Sequence, residues 1–370
     1  MPFWIRNHFK QLSSNKLFFV ERMKTMKTPL VSVIMSVFNT DPKVFKEALD
    51  SILGQSYDNL EILVINDCSE IQYEFIHQYN DSRLVWIEND RNIGLTRSLN
   101  KAISICKGKY IARMDSDDIS FENRIEKQVD YLERNSKIAI LGTRAKEFDG
   151  ATRLKATIPN KPEYIKAYSL FNCGIVHPTV MMRREFLEEN RLTYNEAYRN
   201  SQDFDLWSRC MEFGDVVGEL PECLLYYRIS ENQISSISNN SQQKANARKI
   251  RENQIKLLGF SPTDTDSDIH NSLSEGILHP GYGFADVKNW CKTIIEVNKK
   301  RRYYNPRMLK LAIAQQIFPL IFAKQFSIKD KIRNLFDILT VVDLSIITAV
   351  GSKIYRKILE VMVRSYDSKI

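Results

Sequence analysis

Four short runs of β-branched and aromatic residues, Leu30–Val37, Leu60–Ile65, Arg83–Ile87 and Lys109–Met114, alternate with three stretches of helical period, Pro42–Gln55, Ile71–Tyr79 and Leu95–Lys107. That alternation constrains the fold more than any other feature, because strands joined by helical crossovers pair in parallel. In Pro42–Gln55 the apolar residues Val44, Phe45, Ala48, Leu49, Ile52 and Leu53 keep the i, i+3, i+4 spacing of one buried face, and Asp41 stands as N-cap before Pro42. The expected class is α/β, a mostly parallel sheet flanked by helices. Such sheets bind ligands outside the carboxyl ends of their strands, so the residues that follow each run carry the functional information.

Composition narrows the classes. At 370 residues, 43% hydrophobic and 26% charged, with 13 Gly and 11 Pro, the chain is neither fibrous nor mostly disordered. Its 6 cysteines form no C-x-x-C pair and no Cys/His cluster, so the pattern suggests neither a zinc site nor a disulfide framework and fits a reducing compartment. No stretch reaches the about 18 uninterrupted apolar residues of a spanning helix, and Ile338–Val350 is interrupted by Asp343. With no continuous apolar run in residues 1–28 either, the expected location is cytoplasmic, peripheral at the inner face of the cell membrane. The net charge of +8 is uneven: residues 1–28 carry +5 and residues 298–370 carry +10, leaving −7 for residues 29–297. Basic ends suit an anionic surface, and an acidic centre suits a cation. The acidic centre and the lack of recognition motifs exclude nucleic acid as a partner.

Three strand ends are polar. Ser36-Val37-Phe38-Asn39 follows the first run, Asn66-Asp67-Cys68-Ser69 the second, and Asp115-Ser116-Asp117-Asp118 the fourth. Carboxylates one residue apart at a strand end can face one hard cation, Mn²⁺ or Mg²⁺, which neutralises a diphosphate where no glycine-rich loop is present to cradle it. The same acids also suit the N-terminus of the helix holding Ile125, Val129 and Leu132, and both readings stand at this point.

These segments, with the N-I-G at 92–94, the stretch IVHPTVMMRR and the segment SQDFDLW, resemble in order the inverting family-2 nucleotide-sugar glycosyltransferases of the Rossmann-like GT-A fold; the resemblance runs from Pro29 to Arg228. It implies transfer of a sugar from a nucleoside-diphosphate donor, a UDP-sugar by expectation, to a hydroxyl of a surface glycan or lipid-linked oligosaccharide. It also implies donor contacts from Ser36, Asn39, Asp67 and Asp115, metal ligation by Asp115 and Asp117, and general-base catalysis by Asp203, 88 residues beyond Asp115. Arg228 is expected near the diphosphate, and His177, Gln202 and Trp207 on the acceptor side. Each residue has a structural alternative: turn closure for Asp67, a helix cap for Asp203, core packing for His177 and Trp207, a surface position for Arg228. Two departures stand out. Gln202 replaces the family's usual acid, and Arg228-Ile229-Ser230 replaces Arg-x-His.

Beyond Arg228 the resemblance fades. The expected organisation is a basic amphipathic segment at 1–28, the transferase domain at 29–258 ending in a helix over Gln242–Leu258, a polar linker at 259–283, and a separate helical module at 284–370. Within that module Phe284–Val297, Pro306–Phe326 and Lys329 to about Tyr366 read as helices, with basic clusters at Lys299–Arg302 and at Lys353, Arg356 and Lys357 that suit a membrane surface or an oligomer interface. Two other function classes stand beside the transferase: a non-catalytic scaffold in a glycan-assembly complex, kept open by Gln202 and Ser230, and a nucleotidyltransferase, which lacks the glycine-rich loop it needs after the first strand.

Overall fold

The computed structural model describes residues 28–148, 153–154, 161–229, 240–323 and 325–342. The amphipathic stretch, save Thr28, together with Ser230 and the Lys353, Arg356 and Lys357 cluster, lies outside the described residues. Strand β1 (Val31–Val37) leads through helix α1 (Pro42–Leu53) to β2 (Leu60–Asn66), and β3 (Leu84–Glu88) through α2 (Leu95–Ile105) to β4 (Tyr110–Asp115). Then follow β5 (Ile119–Ser120), α3 (Arg124–Arg134), β6 (Ile140–Phe148), β7 (Arg153–Leu154), α4 (Pro162–Tyr168), β8 (Met181–Arg183), α5 (Arg184–Glu189), α6 (Gln202–Cys210) and β9 (Val217–Arg228). Five more helices close the described chain: α7 (Asn240–Lys256), α8 (Asp264–Glu275), α9 (Phe284–Arg301), α10 (Pro306–Ile321) and α11 (Ile328–Leu339).

The strands form one sheet in the order β3-β2-β1-β4-β8-β6-β9-β5, with β7 paired to β6. Its first four strands are parallel, as their helical crossovers require, and β8 then runs antiparallel between β4 and β6. Strand β1 is buried along nearly its whole length because both sheet faces are covered. Val31, Val33, Met35 and Val37 join α1 and α3 in one core, while Ile34, on the opposite face, joins α2, α4 and α6 in another.

Two elements depart from the sequence pattern. The helix expected at Ile71–Tyr79 shrinks to a 3₁₀ turn, Glu74–Gln78. Tyr73 is drawn onto α1, its ring 4.9 Å from that of Phe45 and its hydroxyl donating to the Thr40 carbonyl at 2.9 Å, so the segment is shaped by long-range aromatic packing. The linker expected at 259–283 contains α8, opened by a capping box in which Thr263 and Asp266 satisfy each other's backbone N–H groups. The Thr and Asp that look like linker composition are the helix's own start signal.

Nor do the C-terminal helices stand apart. Side chains of α8 to α11 continue the core on the Ile34 face of the sheet. Polar contacts seal that junction: Arg251 Nε donates to the Phe171 carbonyl at 2.7 Å, Asn172 Nδ2 to the Ser274 carbonyl at 3.0 Å, and His270 Nε2 bonds the Leu170 carbonyl at 2.8 Å.

Candidate active site

Parallel pairing sets three strand ends level: Ser36 lies opposite Asp115, and Val37 opposite Asn66. The crevice between β1 and β4 is the switch point of the strand order, and a hydroxyl bond of 2.7 Å between Thr40 and Ser116 closes it. Asn39 and Cys68 both adopt left-handed backbone, at φ 53° and 58°. The cost, about 1 kcal/mol each, is offset by bonds between the two loops: Asn39 Oδ1 accepts the Glu70 N–H at 2.9 Å, and the Asn39 N–H donates to Ser69 Oγ at 3.1 Å.

Asp67 is buried. Its Oδ1 accepts from the Ile93 N–H at 2.9 Å and Asn89 Nδ2 at 2.8 Å, and its Oδ2 from the Gly94 N–H at 2.8 Å. The carboxylate thus holds the turn that starts α2, where Gly94 takes φ 87°, a region that favours glycine. Three of its roughly four acceptor positions are filled from within the chain. Beside it an open cavity of about 400 Å³ is lined by Asn66, Cys68, Tyr73, His77, Trp86 and Asn89.

At the end of β4, Asp115, Asp117 and Asp118 bring one carboxylate oxygen each within 4.8 Å of one another. Asp118 is fully buried; its Oδ1 accepts the Arg228 N–H at 2.8 Å, and its Oδ2 has no hydrogen-bond partner among the described residues. Burial first, then the charges of Asp115 and Asp117, push its carboxyl well above the usual range. Three clustered carboxylates, one of which also carries an orphaned buried oxygen, fit a divalent cation of the Mg²⁺ or Mn²⁺ kind. Arg228 at the end of β9 clamps the same turn: Nε donates to the Asp117 carbonyl at 2.8 Å, and Nη2 pairs with Glu47 at 2.7 Å.

Asp203 is the second residue of α6, after Ser201 in left-handed backbone at φ 67°. Burial raises its carboxyl above the ordinary range, opposed by the Phe204 N–H and by the charge of Arg113. Cys173 Sγ bonds its Oδ2 at 3.8 Å. His177 Nε2 meets the Tyr194 hydroxyl at 2.8 Å, and the rings of both stand edge-on to Trp207, with centroids 6.0 and 6.3 Å away. Burial and Arg113 push His177 well below its usual pKa, which favours the neutral imidazole. Trp207 is 1% exposed, with an indole N–H that finds no partner among the described residues, and Gln202 Oε1 is likewise buried and unpartnered.

A model described as Glycosyl transferase family 2 matches residues 32–191. An uncharacterized glycosyltransferase of Methanocaldococcus jannaschii is 36% identical over 221 residues, which cover 57% of this chain and 76% of that relative. The chain belongs to glycosyl transferase family 2. A second relative of this glycosyltransferase, the O-antigen biosynthesis glycosyltransferase WbnJ of Escherichia coli, is 35% identical over 206 residues, covering 54% of this chain and 80% of that protein. Its GT-A fold is shared with S. aureus TarS 1–349, solved in complex with UDP-GlcNAc, at a TM-score of 0.52 and 16% identity over 82% of this chain and 89% of that one.

The sequence pattern did not single out two residues of this glycosyltransferase's site. Arg113 lies 2% exposed under the acidic turn, both of its terminal nitrogens on the Asp115 carboxylate. One signal for it was legible, a charge inside the otherwise apolar run YIARM two places before Asp115 and therefore on the same strand face. Tyr194, from a loop without motif or period, carried no such signal. Arg113 contacts Asp115, and its charge reaches Asp118, His177, Tyr194 and Asp203, while Asn39 and Asp67 belong to the neighbouring loops of β1 and β2.

Proposed function

We propose that this family-2 enzyme is an inverting, metal-dependent transferase that moves a sugar from a nucleoside-diphosphate donor, UDP-linked, to a hydroxyl of a bacterial surface glycan or lipid-linked oligosaccharide. One observation carries the reading: carboxylates 88 residues apart in sequence, Asp115 with its neighbour Asp118 and Asp203, lie in the field of one buried arginine. A single displacement needs that pairing, with cation-binding acids on the leaving-group side and one base for the acceptor hydroxyl. The divalent cation, when bound, supplies charge neutralisation to the departing diphosphate. Asp117 is its foremost ligand, with Asp115 nearer the ribose or the metal. Ser36, Asn39 and Asp67 face the nucleoside, and the cavity beside Asp67 has room for a base. Arg228, already tied to the acidic turn, adds positive charge near the phosphates. Asp203 takes the acceptor proton, and Gln202, His177 and Trp207 wall the acceptor side.

Two features support a peripheral position at the inner face of the cell membrane: the basic ends of the chain, and the O-antigen role that the Escherichia coli relative's name carries. Among the described residues no helix is long and apolar enough to cross a membrane. The deciding experiment pairs a panel of nucleotide sugars and Mn²⁺ with wild type and Asp203→Asn, following sugar release and transfer. Turnover should fall on the order of a hundredfold or more with donor affinity kept, and the wild-type product should carry the inverted anomeric configuration by NMR. Retained configuration, or full turnover by Asp203→Asn, sinks the assignment.

A further inference from the structure

Arg113 is the one charged side chain within β4 before Asp115, in a strand otherwise built of Tyr110, Ile111, Ala112 and Met114. A guanidinium keeps its charge when buried, so its place under the site needs compensating charge. Asp115 supplies it fork to fork: Nη1 donates to Oδ2 at 2.5 Å, and Nη2 meets Oδ1. The backbone fixes the base of the side chain, since the Arg113 N–H donates to the Val180 carbonyl at 2.8 Å. Behind it Arg124, also fully buried, donates to the Arg113 carbonyl at 2.7 Å and adds a second positive charge. Arg113 Nε is itself buried without a partner among the described residues, so the fork on Asp115 is its principal anchor.

We propose that Arg113 is a positioning residue that balances the charge of Asp115 and thereby weakens the protein's own hold on the cation. The inference rests on the metal reading above. An uncompensated Asp115 would add its charge to that of a diphosphate and hold the cation too tightly for product release. With Arg113 in place, Asp115 retains lone pairs as a hydrogen-bond acceptor for neutral hydroxyls while contributing little net charge. The same guanidinium lies in the field of Asp203, so one buried charge serves both halves of the site.

The test is a charge cycle on the donor-free protein, with Mn²⁺ binding measured by calorimetry or electron paramagnetic resonance and folding checked by thermal unfolding. Arg113→Gln removes the balancing charge, so Mn²⁺ should bind on the order of tenfold or more tighter while turnover falls. Arg113→Lys keeps a point charge but loses the fork, so affinity should stay within about threefold of wild type with turnover still reduced. The double variant Arg113→Gln with Asp115→Asn replaces a buried ion pair by neutral groups and carries the test if the single variant fails to fold. Its Mn²⁺ affinity should return to within about threefold of wild type. Weaker or unchanged binding in Arg113→Gln, or a tenfold loss in the double variant, overturns the proposal and makes Asp115 a ligand of full charge. Absence of Mn²⁺ binding by the wild type removes the metal reading and this inference with it.

Discussion

Asp203 is where burial and chemistry pull against each other. Its carboxyl is raised by desolvation, yet a general base works ionised, so the acid limb of kcat/KM should lie above the ordinary carboxylate range of about 4. Activity is lost as pH falls through that raised value. Stability has the opposite sign: the folded chain binds this proton more tightly than the unfolded one, so this group's contribution declines as pH rises through the folded pKa. Asp203→Asn should therefore lose turnover while its thermal midpoint at neutral pH holds or rises. A lower midpoint with turnover intact would mark Asp203 as a helix-start residue alone. His177 and Trp207, legible in the sequence as either packing or acceptor groups, are both built into a ring cluster with Tyr194 in which His177 is half-buried, and that proximity came from three separate segments.

At the scale of elements, the ends of β1, β2 and β4 must stay level for the site to exist, and Gly108 holds one of those registers. A Cβ there would meet the Ser32 backbone nitrogen at 2.5 Å and Ser32 Oγ at 2.7 Å, and the Gly108 N–H already donates to that hydroxyl at 2.8 Å. Gly108→Ala should force β4 away from β1, costing about 1–3 kcal/mol as an overpacked contact and weakening donor binding through Asp115; urea unfolding with donor titration measures both. Wild-type stability would show that the strand edge yields. Element by element, the alternation of runs was readable because burial on both faces imposes long apolar stretches on parallel strands. The segment at 71–79 was not, since its conformation depends on Phe45 and Trp86, residues outside its own period.

For the whole molecule, the helices after Lys256 finish the core of the transferase fold. A chain ending at residue 258 would expose the surface that α8 to α11 cover and leave the Phe171 and Leu170 region without part of its polar cover. It should lose cooperative unfolding and near-ultraviolet circular dichroism; a cooperative, donor-binding fragment would restore the separate module. The charge distribution makes a second prediction: the full chain should pellet with phosphatidylglycerol vesicles at low salt and release as ionic strength rises, each basic residue near the surface adding about 1 kcal/mol. Equal partitioning on neutral vesicles would assign the basic ends to another role. What the sequence by itself determined was the α/β class, and it nominated the strand ends and the acids at 115–118 and 203 for the proposed site, because these are written in contiguous periodicity and ordered motifs. Tertiary structure alone decided that Asp67 closes the turn before α2, that Asp118 is paired with a backbone N–H 110 residues away, that a polar stretch is the docked helix α8, and that Arg113 is buried with its fork on Asp115. Those outcomes turn on which distant segment supplies the compensating hydrogen bond or charge, and a buried polar group takes that partner from whatever the fold brings near it.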